Sequence, residues 1–227
     1  MTQNMKQSMS QGMKHKAAAH QHADKGTPRM SLIVTPAHAR WFANVNGVQA
    51  SPLMADWLSN RGSLTARLVA RCGQFRVQRL YQRRALCLPD EAEQIGLPVV
   101  RKVHEREVIL RCDGQAMVYA HTVVPLTASA TQWPLFRSLG ERSLGTTLFN
   151  DPLVARGDLM YARLRPSHPL MRRIAAIEEL AGLTQGVFSL LARRSVFRRK
   201  GSSLLVTEVF LPAIIDLKLK HTGGEHI

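Results

Sequence analysis

The sequence predicts a single α+β domain built on a six-stranded antiparallel sheet. Six segments show the alternating, β-branched pattern of strands. Two of them flank Asp113-Gly114 and two flank Lys200-Gly201, and such dipeptides close tight hairpins. Helical segments lie between the strands, but a regular alternation of strand, helix and parallel strand is not apparent. Hairpin-linked strands with inserted helices are typical of an antiparallel α+β fold.

The expected elements follow in order along the chain. Ser51-Pro52 supplies a cap and a first-turn proline for a short helix, and a second short helix follows the turn at Asn60-Arg-Gly62. The expected strands are residues 75–85, 99–112, 116–126, 158–165, 189–199 and 202–211. Further helical patterns occupy residues 127–140, 143–149 and 167–181, the first with Pro134 near its middle.

Length and composition indicate one folded domain preceded by a tail. The 227 residues are enough for one sizeable core, and 45% hydrophobic residues are ordinary for a globular protein. Residues 1–29 are rich in Met, Gln, Lys and His, so we expect a disordered basic tail before a domain at 30–227. No apolar run long enough for a membrane span or a secretory signal occurs, so we expect a cytoplasmic protein without a transmembrane segment.

The sequence shows no pattern typical of metal or cofactor chemistry. Cys72, Cys87 and Cys112 lack the spacing of a zinc site, and their odd number argues against a disulfide framework. No catalytic triad, metal-ligand cluster or phosphate-binding loop is visible, and we interpret His104 and His121 as ordinary strand residues. We therefore expect no metal and no cofactor.

Two charged residues interrupt apolar faces of predicted strands. A period of two places Arg106 on the face of Val108 and Leu110, and it places Glu208 on the face of Val206 and Phe210. Because an unpaired buried ion costs several kcal/mol, such charges need a partner or a ligand. The pattern indicates either a structural Arg–Glu pair or the two ends of a pocket for a polar, anionic ligand.

The net charge of +15 raises the question of nucleic-acid binding. The basic residues of the folded part cluster at Arg79, Arg83 and Arg84, at Arg163, Arg165, Arg172 and Arg173, and at Arg193, Arg194, Arg198, Arg199 and Lys200. No zinc-finger or RNA-binding aromatic signature accompanies them. We interpret the clusters as a solvated basic face and expect no nucleic-acid partner.

Five segments, taken in order, resemble the chorismate pyruvate-lyase family. They are Arg106-Glu-Val-Ile-Leu-Arg-Cys-Asp-Gly114, His121-Thr-Val-Val-Pro125, Leu139-Gly140 with Ser143-Leu-Gly145, Arg193-Arg-Ser195, and Leu205-Val-Thr-Glu-Val-Phe-Leu-Pro-Ala213. The resemblance implies a six-stranded antiparallel sheet on which two helical flaps close a buried ligand site. It also implies a cofactor-free conversion of chorismate to 4-hydroxybenzoate and pyruvate, at the start of the ubiquinone pathway.

The resemblance further implies roles for four residues. Arg106 falls where the family binds the aromatic carboxylate, and Glu208 falls where it contacts the 4-hydroxyl. Leu144 matches a flap position whose backbone contacts the ligand, and Leu64 matches a flap position that is Met in another member. The catalytic candidates are thus Arg106 and Glu208, and the substrate-binding candidates are these two with Leu64 and Leu144. We expect a monomer.

Two other classes of function stay open on the sequence alone. The same fold serves as a ligand-sensing domain of bacterial transcription regulators, so a non-catalytic effector-binding module is the alternative. A winged-helix domain usually precedes such modules, and the low-complexity tail cannot form one. The second alternative is a basic scaffold for nucleic acid or membranes, in which Arg106 and Glu208 are merely structural.

Overall fold

The structure, a computed structural model, describes residues 38–217 except 129, 185 and 187. Its strands form one antiparallel sheet in the order β1-β5-β6-β7-β4-β3-β2. The strands are β1 (Trp41–Phe42), β2 (Phe75–Leu86), β3 (Lys102–Cys112), β4 (Gln115–Pro125), β5 (Ala155–Leu164), β6 (Leu190–Arg199) and β7 (Ser202–Phe210). The predicted class, an antiparallel α+β fold, is confirmed.

The predicted number of six strands is wrong, because the described residues form seven. The additional strand is β1, in which Trp41 pairs with Ala162 and Phe42 pairs with Tyr161. Two residues are too few to show a period of two, so nothing in the local sequence distinguishes this strand from a loop. Its existence depends on pairing with β5, a partner distant in the chain.

Both predicted hairpin turns are confirmed. Asp113 and Gly114 have φ values of 49° and 81°, and Lys200 and Gly201 have φ values of 49° and 75°. Positive φ at both central residues is the requirement of a type I′ turn, whose twist matches that of the flanking strands. These turns set the registers of β3 with β4 and of β6 with β7.

The helices are short, and three of them begin at serine caps. The helices are α1 (Pro52–Ser59), α2 (Leu64–Val69), α3 (Leu144–Asn150), α4 (Pro169–Ala175) and α5 (Glu178–Thr184). Ser51, Ser63 and Ser143 each accept a hydrogen bond from the backbone N–H three residues ahead, a contact worth about 1 kcal/mol per helix. None of the helices in the described part of the chain is long and apolar enough to cross a membrane.

Two helical predictions differ from the structure. Residues 127–140 do not form one helix: turns precede a 3-10 helix at Pro134–Ser138, because Pro134 lacks an N–H and fits only the first turn. Residues 167–181 form α4 and α5 in place of one helix. The break comes where Ile177 N–H bonds to Ile174 C=O, which tightens the last turn of α4 and ends its α-helical geometry.

The two faces of the sheet carry different covers. On one face, α1 and α2 pack through Trp57, Leu58 and Leu68 against apolar residues of β2, β3 and β4, while α3 packs beside them against Phe197 and Leu204. The opposite face packs against α4 and α5. The first face, with its two separate helical covers, holds the candidate site.

Candidate functional site

A cavity lies between the sheet and the helical covers formed by α2 and α3. It is lined by Leu64, Thr65, Val77, Arg106, Val108, Leu110, Ala120, Thr122, Ser143, Leu144, Gly145, Leu148, Phe149, Arg156, Arg193, Ser195, Phe197, Val206 and Glu208. All four residues singled out from the sequence, Leu64, Arg106, Leu144 and Glu208, are among them. Three arginines and one glutamate line it, so its side-chain charge is net positive.

Arg106 projects from β3 into the cavity and is 2% exposed. Its Nη2 donates to the carbonyl oxygens of Gly140 at 3.1 Å and Arg142 at 3.0 Å, in the loop before α3. Its Nε is buried without a hydrogen-bond partner, and no carboxylate of the described residues lies within ion-pair distance. Burial, and then the charge of Arg79, lower the pKa of Arg106 to about 10. A carboxylate ligand would relieve both the missing bond and the missing counter-charge.

Glu208 has a protein partner, and that partner is Arg193. Arg193 Nε donates to Glu208 Oε2 at 2.5 Å across the β6–β7 pair. Arg193 Nη1 donates to the carbonyl oxygens of Trp57 at 3.2 Å, Leu58 at 3.2 Å and Asn60 at 2.7 Å. Arg193 therefore joins the end of α1 to Glu208, and the structural pair that the sequence suggested for Arg106 and Glu208 is instead made by Arg193.

The N-termini of α2 and α3 meet over the cavity. Leu64 and Leu144 are the first residues of these helices, and each follows its serine cap. Thr65 Oγ1 lies 2.6 Å from Ser143 Oγ, a hydrogen bond that joins the two covers directly. The covers are thus linked to each other by Thr65 and Ser143, and to the sheet through Arg193 and Arg106.

A third arginine, Arg156 of β5, was not identified from the sequence. Its guanidinium carbon lies 5.4 Å from the ring centroid of Phe149 and 5.5 Å from that of Phe197. Nη1 donates to Arg61 C=O at 2.7 Å, while Nε is buried without a partner. Burial, and then the neighbouring charge of Arg193, lower the pKa of Arg156 to about 10.

The signal for Arg193 was present in the sequence. Counting outward from the two-residue turn at Lys200-Gly201 pairs Arg199 with Ser202 and, six positions further, Arg193 with Glu208. Arg156 had no comparable signal. It lies where the β5–β6 register shifts, and such an irregularity interrupts the period of two.

A second polar cluster is buried on the opposite face of the sheet. His121 Nδ1 lies 3.0 Å from Glu107 Oε1, and His121 Nε2 lies 3.0 Å from Glu91 Oε1. Arg173 of α4 contacts the carboxylates of both Glu105 and Glu107. Burial alone lowers the pKa of His121, but the two adjacent carboxylates raise it to about 10. His121 is thus a buried strand residue whose ring lies between two carboxylates, and these carboxylates favour its protonated form.

The same cluster contains the residues best placed to hold a metal ion. Candidate ligand atoms of Glu105, Glu107 and His121 lie within 4.8 Å of one another. The Arg173 guanidinium already contacts both carboxylates and supplies positive charge there. The cluster is also on the face away from Arg106 and Glu208, because residues 105 and 107 alternate with 106 along β3.

The arginine clusters are not simply a solvated face. Arg193 and Arg194 are both buried, and they point to opposite faces of the sheet. Arg194 Nη1 donates to Asp90 C=O at 3.0 Å, and its guanidinium lies 4.0 Å from the Trp41 ring centroid. The expectation of a solvated basic face is therefore wrong for these two residues, although Arg165 and Arg198 are exposed as expected.

The fold and the cavity define an α+β domain in which two helical covers enclose an arginine-rich pocket on one face of an antiparallel sheet. The chain belongs to the chorismate lyase family, whose model matches residues 35–220. A Ralstonia nicotianae protein named probable chorismate pyruvate-lyase is 50% identical over 161 residues, covering 70% of this chain and 82% of its own. A protein of the same name from Cupriavidus pinatubonensis is 47% identical over 175 residues, covering 77% and 89%.

Solved structures give a weaker comparison. A GntR-family transcriptional regulator from Bacillus cereus has a TM-score of 0.46 and 15% identity, covering 62% of this chain and 93% of its own. The effector domain of PhnF from Mycobacterium smegmatis has a TM-score of 0.45 and 15% identity, covering 67% and 90%. Both similarities are too low to bear on function.

Proposed function

We propose that this protein is a chorismate pyruvate-lyase, which converts chorismate to 4-hydroxybenzoate and pyruvate. The observation that carries the proposal is the placement of Arg106 and Glu208 on one cavity wall, in a chain that belongs to the chorismate lyase family. The names of the Ralstonia and Cupriavidus relatives support the same activity.

The spacing of the two charges suits a ring with a carboxylate and a para hydroxyl. Arg106 is on β3 and Glu208 is on β7, with β4 between them and a register offset of two residues, so their backbones are roughly 12 Å apart. The Arg106 guanidinium offers its unpartnered Nε–H to a carboxylate. Arg193 engages Glu208 Oε2, which leaves Oε1 to accept a hydrogen bond from the ring hydroxyl.

The reaction requires an elimination that makes the ring aromatic. The bond from the ring to the enolpyruvyl oxygen breaks, and the hydrogen on the hydroxyl-bearing ring carbon moves to the enolpyruvyl methylene, which becomes the methyl group of pyruvate. These atoms can meet in a six-membered cyclic array, so the substrate supplies its own hydrogen acceptor. No electrons enter or leave, and the proposed reaction uses no cofactor.

In this proposal the protein acts mainly by holding a reactive conformer and excluding water. Arg106 and Glu208 fix the two ends of the ring, while Leu64 and Leu144 close the cavity from the two covers. The alternative is that Glu208 removes the ring hydrogen as a general base. Since Arg193 already occupies one Glu208 oxygen, we favour the cyclic route, with Glu208 as the residue that orients the hydroxyl.

The role in ubiquinone biosynthesis, the cytoplasmic location and the monomeric state remain part of the proposal. So do the disordered tail at 1–29, the domain boundary at residue 30 and the absence of a nucleic-acid partner.

A direct assay tests the activity. Purified protein is incubated with chorismate, and 4-hydroxybenzoate and pyruvate are measured together, with equal amounts expected. Ligand-dependent thermal stabilisation without turnover would instead indicate an effector-binding module. A salt-sensitive interaction with nucleic acid, without any effect of chorismate, would indicate the basic scaffold.

The Arg106→Gln variant tests the carboxylate site. Loss of the guanidinium should cost about 2 to 4 kcal/mol, or roughly thirty- to a thousandfold in kcat/KM, with the fold retained. The matched control is Arg165→Gln, which removes the same charge from an exposed residue just after β5. Wild-type kcat/KM in the Arg106 variant would remove this residue from the site.

A further inference from the structure

Two cavity arginines have no carboxylate partner in the part of the chain that the structure describes. Arg193 is neutralised by Glu208, which leaves Arg106 and Arg156 as guanidiniums without an ion pair. Each has a buried Nε that lacks a hydrogen-bond partner. Arg106 is buried and Arg156 is half-buried. Because an uncompensated charge that is largely removed from water is costly, two such charges in one cavity indicate a ligand with two anionic groups.

We propose that Arg156 binds the second carboxylate of the substrate, the one carried by the enolpyruvyl side chain. This inference rests on the proposed function and assigns to Arg156 a role in substrate binding that complements the roles of Arg106 and Glu208. Chorismate is a dianion at neutral pH, and the cavity's two unpaired guanidiniums match that charge.

The sheet places the three side chains in the order that this substrate requires. Arg106 is on β3, Glu208 is on β7 and Arg156 is on β5, so Glu208 lies two strands, or roughly 10 Å across the sheet, from each arginine. The register also displaces Arg106 by two residues and Arg156 by four residues from Glu208 along the strands, in the same direction, so the Arg156 backbone is roughly 17 Å from that of Glu208. All three side chains nevertheless line the same cavity. With the ring carboxylate at Arg106 and the hydroxyl at Glu208, the side chain leaves from the ring carbon next to the hydroxyl. That carbon is at the Glu208 end of the ring, within reach of the β5 side of the cavity.

The surroundings of Arg156 hold its guanidinium in position. The Phe149 and Phe197 rings lie near it, and the single hydrogen bond from Nη1 to Arg61 C=O leaves Nε and Nη2 for a ligand. Ser195 Oγ donates to Gly157 C=O at 3.0 Å, which fixes the backbone beside Arg156 where the register shifts. A preorganised guanidinium binds a carboxylate with little further loss of side-chain entropy.

In this proposal, chorismate and 4-hydroxybenzoate bind the site through different numbers of contacts. 4-Hydroxybenzoate has only the ring carboxylate, so it interacts with Arg106 and Glu208 and makes no use of Arg156. The second product, pyruvate, retains the other carboxylate. Cleavage therefore divides the two anionic contacts between two smaller molecules, each of which binds through fewer groups than chorismate.

The experiment compares Arg156→Gln and Arg156→Lys with wild type and with the Arg165→Gln control. We expect Arg156→Gln to lower kcat/KM for chorismate at least about thirtyfold, while inhibition by 4-hydroxybenzoate changes less than about threefold. Arg156→Lys should recover part of the loss because it keeps the charge. Wild-type turnover in Arg156→Gln, or equal losses for chorismate and 4-hydroxybenzoate, would overturn the proposal.

A binding measurement keeps the inference separate from the activity itself. The probe is 3-(carboxymethoxy)-4-hydroxybenzoate, which carries a second carboxylate on the ring carbon next to the hydroxyl. Its affinity should fall in Arg156→Gln, whereas that of 4-hydroxybenzoate should not; Arg106→Gln should weaken both. If wild-type protein fails to turn over chorismate, the proposed function fails, and this pair of ligands alone decides whether Arg156 binds a second carboxylate. Equal affinities for the probe in wild type and Arg156→Gln would reject it.

Discussion

Replacing His121 with leucine should destabilise the fold by about 3 kcal/mol and leave the cavity unchanged. Removing one partner of a buried ion pair costs about 3 to 5 kcal/mol, because the other charge stays buried without compensation. Glu107 keeps its contact with Arg173, so the loss falls mainly on Glu91. Among the described residues, Glu91 then retains the hydrogen bond from Leu88 N–H at 2.8 Å and the more distant charge of Arg173. These contacts place the expected cost at the lower end of the range.

The pH dependence identifies the cause of this cost. The pKa of His121 is about 10 in the folded protein, against about 6.5 in an unfolded chain. Folding therefore favours the protonated imidazole, and its stabilisation is complete below about pH 6.5 and declines until about pH 10. The difference in the free energy of unfolding between wild type and His121→Leu should shrink across that window.

Urea unfolding followed by circular dichroism at pH 6, 8 and 10 measures this difference. The matched control is His104→Leu on the same sheet: burial, and then the charges of Arg84 and Arg137, lower the pKa of His104, so no buried ion pair is lost. A cost that is independent of pH, or no larger than that of the control, would refute the assignment of His121 as a buried cation. Because the cluster is on the face opposite Arg106, kcat should stay close to the wild-type value.

Three further results are expected. Glu208→Gln should lower kcat by less than about a hundredfold. Chorismate deuterated at the hydroxyl-bearing ring carbon should give pyruvate with deuterium in its methyl group. Unlabelled pyruvate, with exchange of pyruvate itself controlled for, would identify Glu208 as the base. Activity should survive EDTA and exhaustive dialysis, and its restoration by an added metal would contradict the cofactor-free proposal. A shortened chain that starts at Met30 should keep the kcat and KM of the full chain, and a large fall with the fold intact would show that residues 1–29 contribute to the site.

Local signals predicted the parts of the fold that local chemistry determines. The turns at Asp113-Gly114 and Lys200-Gly201 were found because few residues tolerate positive φ, and those turns set the hairpin registers. The strand at Trp41–Phe42 was missed because it exists only through pairing with a distant strand. The single helix expected at residues 127–140 was wrong because Pro134 permits a helix to start at that point but not to pass through it.

The residues of the candidate site were likewise predicted from the sequence only in part. Arg106 and Glu208 stood out because a charge on an apolar strand face is anomalous in any context. The ionic surroundings of His121 were not visible in the sequence because its partner Glu91 precedes it by thirty residues and reaches it only through the tertiary fold. Arg193 was grouped with its basic neighbours, although successive strand residues point to opposite faces and have different environments.

The ion pair between Arg193 and Glu208 has a mechanical consequence. Arg193 donates to Glu208 through Nε and to the carbonyl oxygens at the end of α1 through Nη1. A single side chain therefore connects the C-terminal end of α1 with the group that contacts the substrate hydroxyl in our proposal. When a ligand hydroxyl also binds Glu208, we expect the hydrogen bonds from Arg193 to the end of α1 to change in strength. Ligand binding in the cavity should therefore change the backbone mobility of residues 57–60. Amide hydrogen exchange can measure this change without any turnover.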